Sequence, residues 1–225
     1  MANEHEGHRK RLKTRFKGEG LDGFEPHNVL ELLLFFAIPR GDTNPVAHRL
    51  MTKFGRIDRV FDAPFEELCK VDGVGENSAV LIKMIPQLAR YYVTEKSVIG
   101  TQVNSARDVG EYVLPRFLGL TEEKLMLVSI DNKGRIIGCT TIAEGEVDSI
   151  NVSMRKVVET AIYTRANNAV LAHNHPQGFA APSEEDVNMT SDVKSVLKTL
   201  GIKLLDHIIV SHDDFVSLND SGLII

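Results

Sequence analysis

Apolar residues recur at helical spacing through the first part of the chain. Leu30, Leu33, Leu34 and Ala37 fall on one face, and Val46, Leu50 and Phe54 repeat the pattern further on, as in amphipathic helices. Pro39-Arg40-Gly41-Asp42 between them has turn chemistry. Asn44 before Pro45 suits an N-cap followed by proline at the first helical position. Gly55 after Phe54 suits a helix end. The most apolar run, Val29 to Ile38, is interrupted by Glu31 and is too short to span a bilayer; it is expected to be a core helix. These signals predict a compact helical bundle over residues 1–93. Residues 94–101 lack strong periodicity and are expected to form a linker. Ser105 is expected to cap a helix running to about Pro115.

Then the period changes. Lys124 to Ile130 is a strand candidate, followed by the turn Asp131-Asn132-Lys133-Gly134 and a hairpin partner from Arg135 to Ala143. Met154 to Ala166 reads as a helix with Val157, Val158, Ala161 and Ile162 as its apolar stripe. Asn168 to Asn174 reads as a short buried strand, and Glu184 to Leu200 as a polar-faced helix closed by Gly201. Ile202 to Val210 and Phe215 to Leu218 complete the strand candidates. Strands and helices mix without strict alternation, so residues 102–225 are expected to form an α/β or α+β domain with a mixed sheet.

Composition narrows the function. The net charge is −5 over 225 residues. The first 93 residues are close to charge balance and the rest are acidic, so neither part has the basic excess of a dedicated nucleic-acid binder. Arg9, Lys10, Arg11, Lys13, Arg15 and Lys17 crowd the amino terminus, either as a solvated helix or as a phosphate-facing patch. Two cysteines, Cys69 and Cys139, make no disulfide framework. With no signal-peptide-like stretch at the polar amino terminus, a cytoplasmic protein without membrane attachment is expected.

The chemistry concentrates in Ala172-His173-Asn174-His175-Pro176-Gln177-Gly178 and in Ala181-Pro182-Ser183-Glu184-Glu185-Asp186. Histidines two apart on a strand put both rings on one face. Two neutral imidazoles and one acidic oxygen make a three-ligand zinc site with a position left for water. Asp186 can supply the oxygen, because Ser183 suits an N-cap and an acidic residue three positions on is favoured there. Elsewhere, Glu144 and Glu146 are read as loop carboxylates at one edge of the cleft. His207 in its apolar strand is read as a core histidine, and His212 as a surface-loop residue.

The spacing His-x-His, seven residues, Ser, two residues, Asp resembles the signature of JAMM (MPN+) metalloproteases. The wording AHNHPQG and APSEED is similar to their bacterial RadC-like branch. The resemblance extends to Leu204–Ile209, to Gly7-His8-Arg9 and to HNVLELLLFFAIPR, nearly the whole chain. It implies a JAMM/MPN (cytidine-deaminase-like) domain with one Zn2+ per chain held by His173, His175 and Asp186. It implies a general-base glutamate at the head of the first strand, where Glu123 fits by offset and Glu122 is the alternative. It also implies that Ser183 helps hold the water or the oxyanion. The activity implied is hydrolysis of a peptide or isopeptide bond in a protein or peptide substrate.

Val71-Asp72-Gly73-Val74-Gly75-Glu76-Asn77-Ser78-Ala79 has a helix-hairpin-helix pattern. Gly73 and Gly75 permit a tight hairpin, and N–H groups at the next helix start can hold a DNA phosphate, with Lys70 and Lys83 as nearby cations. IPRGDTNP is a candidate degenerate second hairpin. The alternative function is therefore a DNA-associated, repair-type protein that binds the backbone through this hairpin, with the metal site structural or nucleolytic. A metal-bearing scaffold without catalysis is a third reading.

Overall fold

The computed structural model describes residues 2–96, 99–145, 153–176, 178–211 and 214–224. The chain forms two compact units, Met1–Leu88 and Ala89–Ile225. Among the described residues, no helix is long and apolar enough to cross a membrane.

The first unit is helical: α1 (Ala2–Glu19), α2 (Pro26–Ala37), α3 (Asn44–Phe54), α4 (Ile57–Asp62), α5 (Phe65–Cys69) and the first turns of α6 (Glu76–Lys96). The division between units falls inside α6, as does the expected boundary at residue 93; residues 94–96, expected in the linker, are helical. Leu30 and Leu34 of α2 pack with Val46, Ala47 and Leu50 of α3, Val60, Leu68, Ala79 and Ile82. Glu31, the interruption in the apolar run, is fully buried. It is held by His8 Nε2 at 2.7 Å and by the Asn44 side-chain amide at 3.0 Å, the pairing that a buried carboxylate requires. Asn44 is consequently not the N-cap; α3 starts one residue earlier, with Thr43 in that place. Of the amino-terminal cations, Arg9 lies over the Phe35 ring and donates to the carbonyls of Ile38 and Gly41 beyond the end of α2. It satisfies carbonyls of the turn that follows α2 and is spent on the fold.

In the second unit, α7 (Ala106–Val113) begins with the expected Ser105 cap, completed by Asp108 as a capping box, and passes into a 3-10 turn at Leu114–Phe117. Then follow β1 (Lys124–Ile130), β2 (Ile136–Glu144), α8 (Met154–Tyr163), β3 (Asn168–Asn174), α9 (Glu184–Thr199), β4 (Lys203–Ser211) and β5 (Asp214–Ser217). The sheet order is β2-β1-β3-β4-β5, with β3 and β4 parallel and the other neighbours antiparallel. This is the expected mixed sheet.

Strand periodicity assigns the faces. Met126, Val128, Ile130, Val170 and Ala172 pack with Val109, Tyr112 and Val113 of α7. Leu125, Leu127, Ala169 and Leu171 pack on the other side with Val157 and Ala161 of α8 and Val193 and Leu197 of α9. Odd-numbered residues of β1 and β3 therefore face α8 and α9, and His173 follows that parity. α8 stops at Tyr163, short of the expected Ala166. The Thr164 hydroxyl contacts the Thr160 carbonyl and Ser129 Oγ, and Arg165 takes a positive φ of 56°, which ends the helix.

Candidate metal centre

β3 delivers the two histidines. The ladder continues past its last residue, since His175 N–H donates to the Val210 carbonyl at 2.8 Å. Extended backbone through residue 175 puts both rings on the α9 side. Their Nε2 atoms stand 2.8 Å apart.

The start of α9 delivers the carboxylate. Ser183 is the N-cap, and Asp186 at the third helical position closes a capping box. Asp186 Oδ2 accepts from Ser183 N–H at 2.8 Å and from the Ser183 hydroxyl at 2.7 Å, while Asp186 N–H donates to Ser183 Oγ at 3.1 Å. Asp186 Oδ1 lies 3.1 Å from His173 Nε2, and Oδ2 lies 3.7 Å from His175 Nε2. One atom from each of the three residues falls within 4.8 Å of the others. The hydroxyl expected at the water or oxyanion already has its hydrogen placed on Asp186.

His173 is 4% exposed. Burial, followed by the neighbouring His175 ring, pulls its pKa down to about 4 against the opposing pull of Asp186, so His173 is neutral near pH 7. His175 Nδ1 is 3.0 Å from the Phe179 carbonyl. A carbonyl only accepts, so Nδ1 carries a hydrogen and Nε2 is the ring nitrogen that faces the centre. Convergent imidazole nitrogens with a carboxylate oxygen, low in exposure and backed by hydrogen bonds, fit a divalent metal such as zinc.

Glu123 precedes β1. Leu125 pairs with His173, and continuing that antiparallel register sets Glu123 opposite His175. Two contacts hold the strand head. Glu123 O accepts from Gly145 N–H at 3.0 Å. The Asn174 side chain accepts from Lys124 N–H at 2.8 Å and donates to the Glu122 carbonyl at 3.1 Å. By parity Glu123 shares the face of Leu125 and His173. Glu123 Oε2 is enclosed, whereas Glu122 is exposed.

Sequence reasoning missed the contacts of His207 and Thr190. His207 is fully buried, as read, but it also stands 2.7 Å from His173 Nδ1 through its Nε2 and 2.6 Å from Thr190 Oγ1 through its Nδ1. Thr190 lies four residues after Asp186, a same-face spacing on α9 that was a usable signal. Glu144 ends β2 and pairs with Lys124 at 2.9 Å. Glu146 and His212 lie outside the described residues.

In the first unit, Gly73 and Gly75 lie in the turn between α5 and α6. Gly73 has φ 86°, and a Cβ there would meet Val46 Cγ2 at 2.8 Å. Arg49 of α3 reaches this turn, and its Nε donates to the Asp72 carbonyl at 2.9 Å. Lys70 pairs with Glu67, and Lys83 donates to the carbonyls of Phe61 and Asp62; both are thus committed within the fold.

Comparison with known proteins agrees with this architecture. The chain is 32% identical over 228 residues to a UPF0758 protein of Fusobacterium nucleatum subsp. nucleatum, covering 98% of each. It is 34% identical over 216 residues to a UPF0758 protein of Ruegeria pomeroyi, covering 96% of each. The family model described as the RadC-like JAB domain matches residues 103–223, which contain His173, His175 and Asp186. That domain has a metal-dependent-hydrolase-like fold, and the chain belongs to the RadC-like JAB domain family.

Proposed function

We propose that the protein is a metal-dependent hydrolase of peptide or isopeptide bonds, with zinc as the metal. The observation that carries this reading is the convergence of His173 Nε2, His175 Nε2 and Asp186 Oδ1 beside the strand head that bears Glu123. When bound, zinc would lower the pKa of a water toward about 7 and polarise the scissile carbonyl.

The chain's own residues do the remaining work. Glu123 takes a proton from the attacking water and returns it to the leaving amine. Asn174 holds the strand head at residues 122–124 and so positions Glu123. Ser183 orients Asp186 from behind. The Phe179 ring is 88% exposed on the loop whose carbonyl holds His175, and it offers an apolar contact to a substrate side chain near the site.

The test is metal content of the purified full chain by elemental analysis, beside the His175→Ala variant, followed by a screen of peptide and isopeptide substrates. About one zinc per chain, lost in the variant, with amide cleavage by the wild type, is the expected result. A wild type that takes up no zinc even when zinc is offered overturns it. DNA association through the Gly73–Gly75 turn has weaker support. Asp72 and Glu76 flank it, and Lys70 and Lys83 are committed elsewhere.

A further inference from the structure

We infer that Thr190 and His207 form a proton-ordering chain that fixes the tautomer His173 presents to the metal centre; this rests on the metal reading proposed above. The chain starts at one ligand and ends at another. Thr190 Oγ1 donates to the Asp186 carbonyl at 2.5 Å, the usual bond of a helical threonine to the residue four back. A hydroxyl has one hydrogen. At its 2.6 Å contact with His207 Nδ1, Thr190 therefore accepts, and His207 Nδ1 carries a hydrogen.

His207 is fully buried, and among the described residues its ring contacts are a hydroxyl and an imidazole. The ring is neutral, so its Nε2 is bare. That Nε2 accepts from His173 Nδ1–H at 2.7 Å. His173 is left with a bare Nε2 directed at His175 Nε2 and Asp186 Oδ1. Reversing the threonine hydrogen would reverse every bond in the series. His173 would then aim an N–H at the centre and could not ligate through Nε2.

Thr190 is 1% exposed and His173 4%, so solvent does not readily substitute for either partner. The contact is also tertiary. β4 carries His207 beside Leu171 of β3 in parallel register, joining the strand that holds one ligand to the helix that holds the other. Thr190 and His207 are positioning residues: they act on the centre through His173.

The test uses the full chain with 15N-labelled histidine. Long-range 1H–15N correlation spectra of the metal-free wild type should show His207 and His173 both protonated at Nδ1 and bare at Nε2. Zinc affinity, from competition with a chelator, should fall about 10- to 100-fold in Thr190→Val and return in Thr190→Ser, which restores only the hydroxyl. His207 found with its hydrogen on Nε2, or Thr190→Val binding zinc as tightly as wild type, overturns the inference. If Thr190→Val does not fold, the wild-type spectra still decide. A wild type that shows the expected tautomers but takes up no zinc leaves the chain of bonds standing and removes the metal reading instead.

Discussion

Ser183 gives its hydroxyl hydrogen to Asp186 Oδ2, and this bond leaves Asp186 Oδ1 as the carboxylate oxygen nearest His173 Nε2. One interaction is thus both a helix cap and a support for the carboxylate proposed as a metal ligand. Ser183→Ala should lower stability by about 1 kcal/mol, the usual cost of losing such a cap. It should also weaken zinc binding about 10-fold, because an unsupported ligand carboxylate samples other positions. Thermal unfolding of the metal-free protein reads the first effect, and chelator competition reads the second. A variant that loses stability but keeps its zinc affinity would reduce Ser183 to a cap.

Glu123 and Glu122 are adjacent, and the register separates them. Continuing the β1–β3 register puts Glu123 on the face of Leu125 and His173, while Glu122 lies in the bend before it and is exposed. Glu123→Gln should retain about one zinc per chain and lose hydrolysis by about 100-fold or more. Glu122→Gln should leave both close to wild type. The reverse pattern in a peptide or isopeptide cleavage assay would assign the base to Glu122.

Removing a ligand should empty the centre without unfolding the protein. The Leu125–Leu197 core lies on the same face but is built from residues that the ligands do not contribute. His173→Ala and Asp186→Ala should each fall from about one zinc to near none per chain while keeping the wild-type far-ultraviolet spectrum. Stoichiometric zinc retained in both variants would show that the metal sits elsewhere.

Several of these features were legible in the sequence. β1 and β3 were readable to the residue, because short apolar runs bounded by turn residues leave few other solutions. The capping box at Ser183 and Asp186 was readable because its chemistry is local. Asn44 was misplaced as a cap because its amide is drawn to Glu31, 13 residues back, a contact no local pattern encodes. The contact of His207 with His173 was invisible for the same reason. It depends on the parallel register of β3 and β4, which brings residues 34 apart to 2.7 Å. The basic amino terminus looked like a solvated or phosphate-facing run, yet Arg9 is occupied by carbonyls beyond the end of α2.

The buried histidines make the metal-free protein sensitive to mild acid. His173 has an ordinary value of 6.5 in the unfolded chain and about 4 when folded, chiefly because burial disfavours its charged form. Between those values the unfolded state binds more protons than the folded state, so stability rises with pH there and is lost as pH falls. His207 is lowered for the same leading reason and acts in the same direction. The loss attributable to His173 is on the order of 3 kcal/mol between pH 7 and pH 4. Urea unfolding in the presence of a chelator, repeated across that range, measures it. The His173→Gln variant should show a flatter profile, because the titrating ring is gone. Equal slopes in variant and wild type would mean that His173 is not held neutral by the fold.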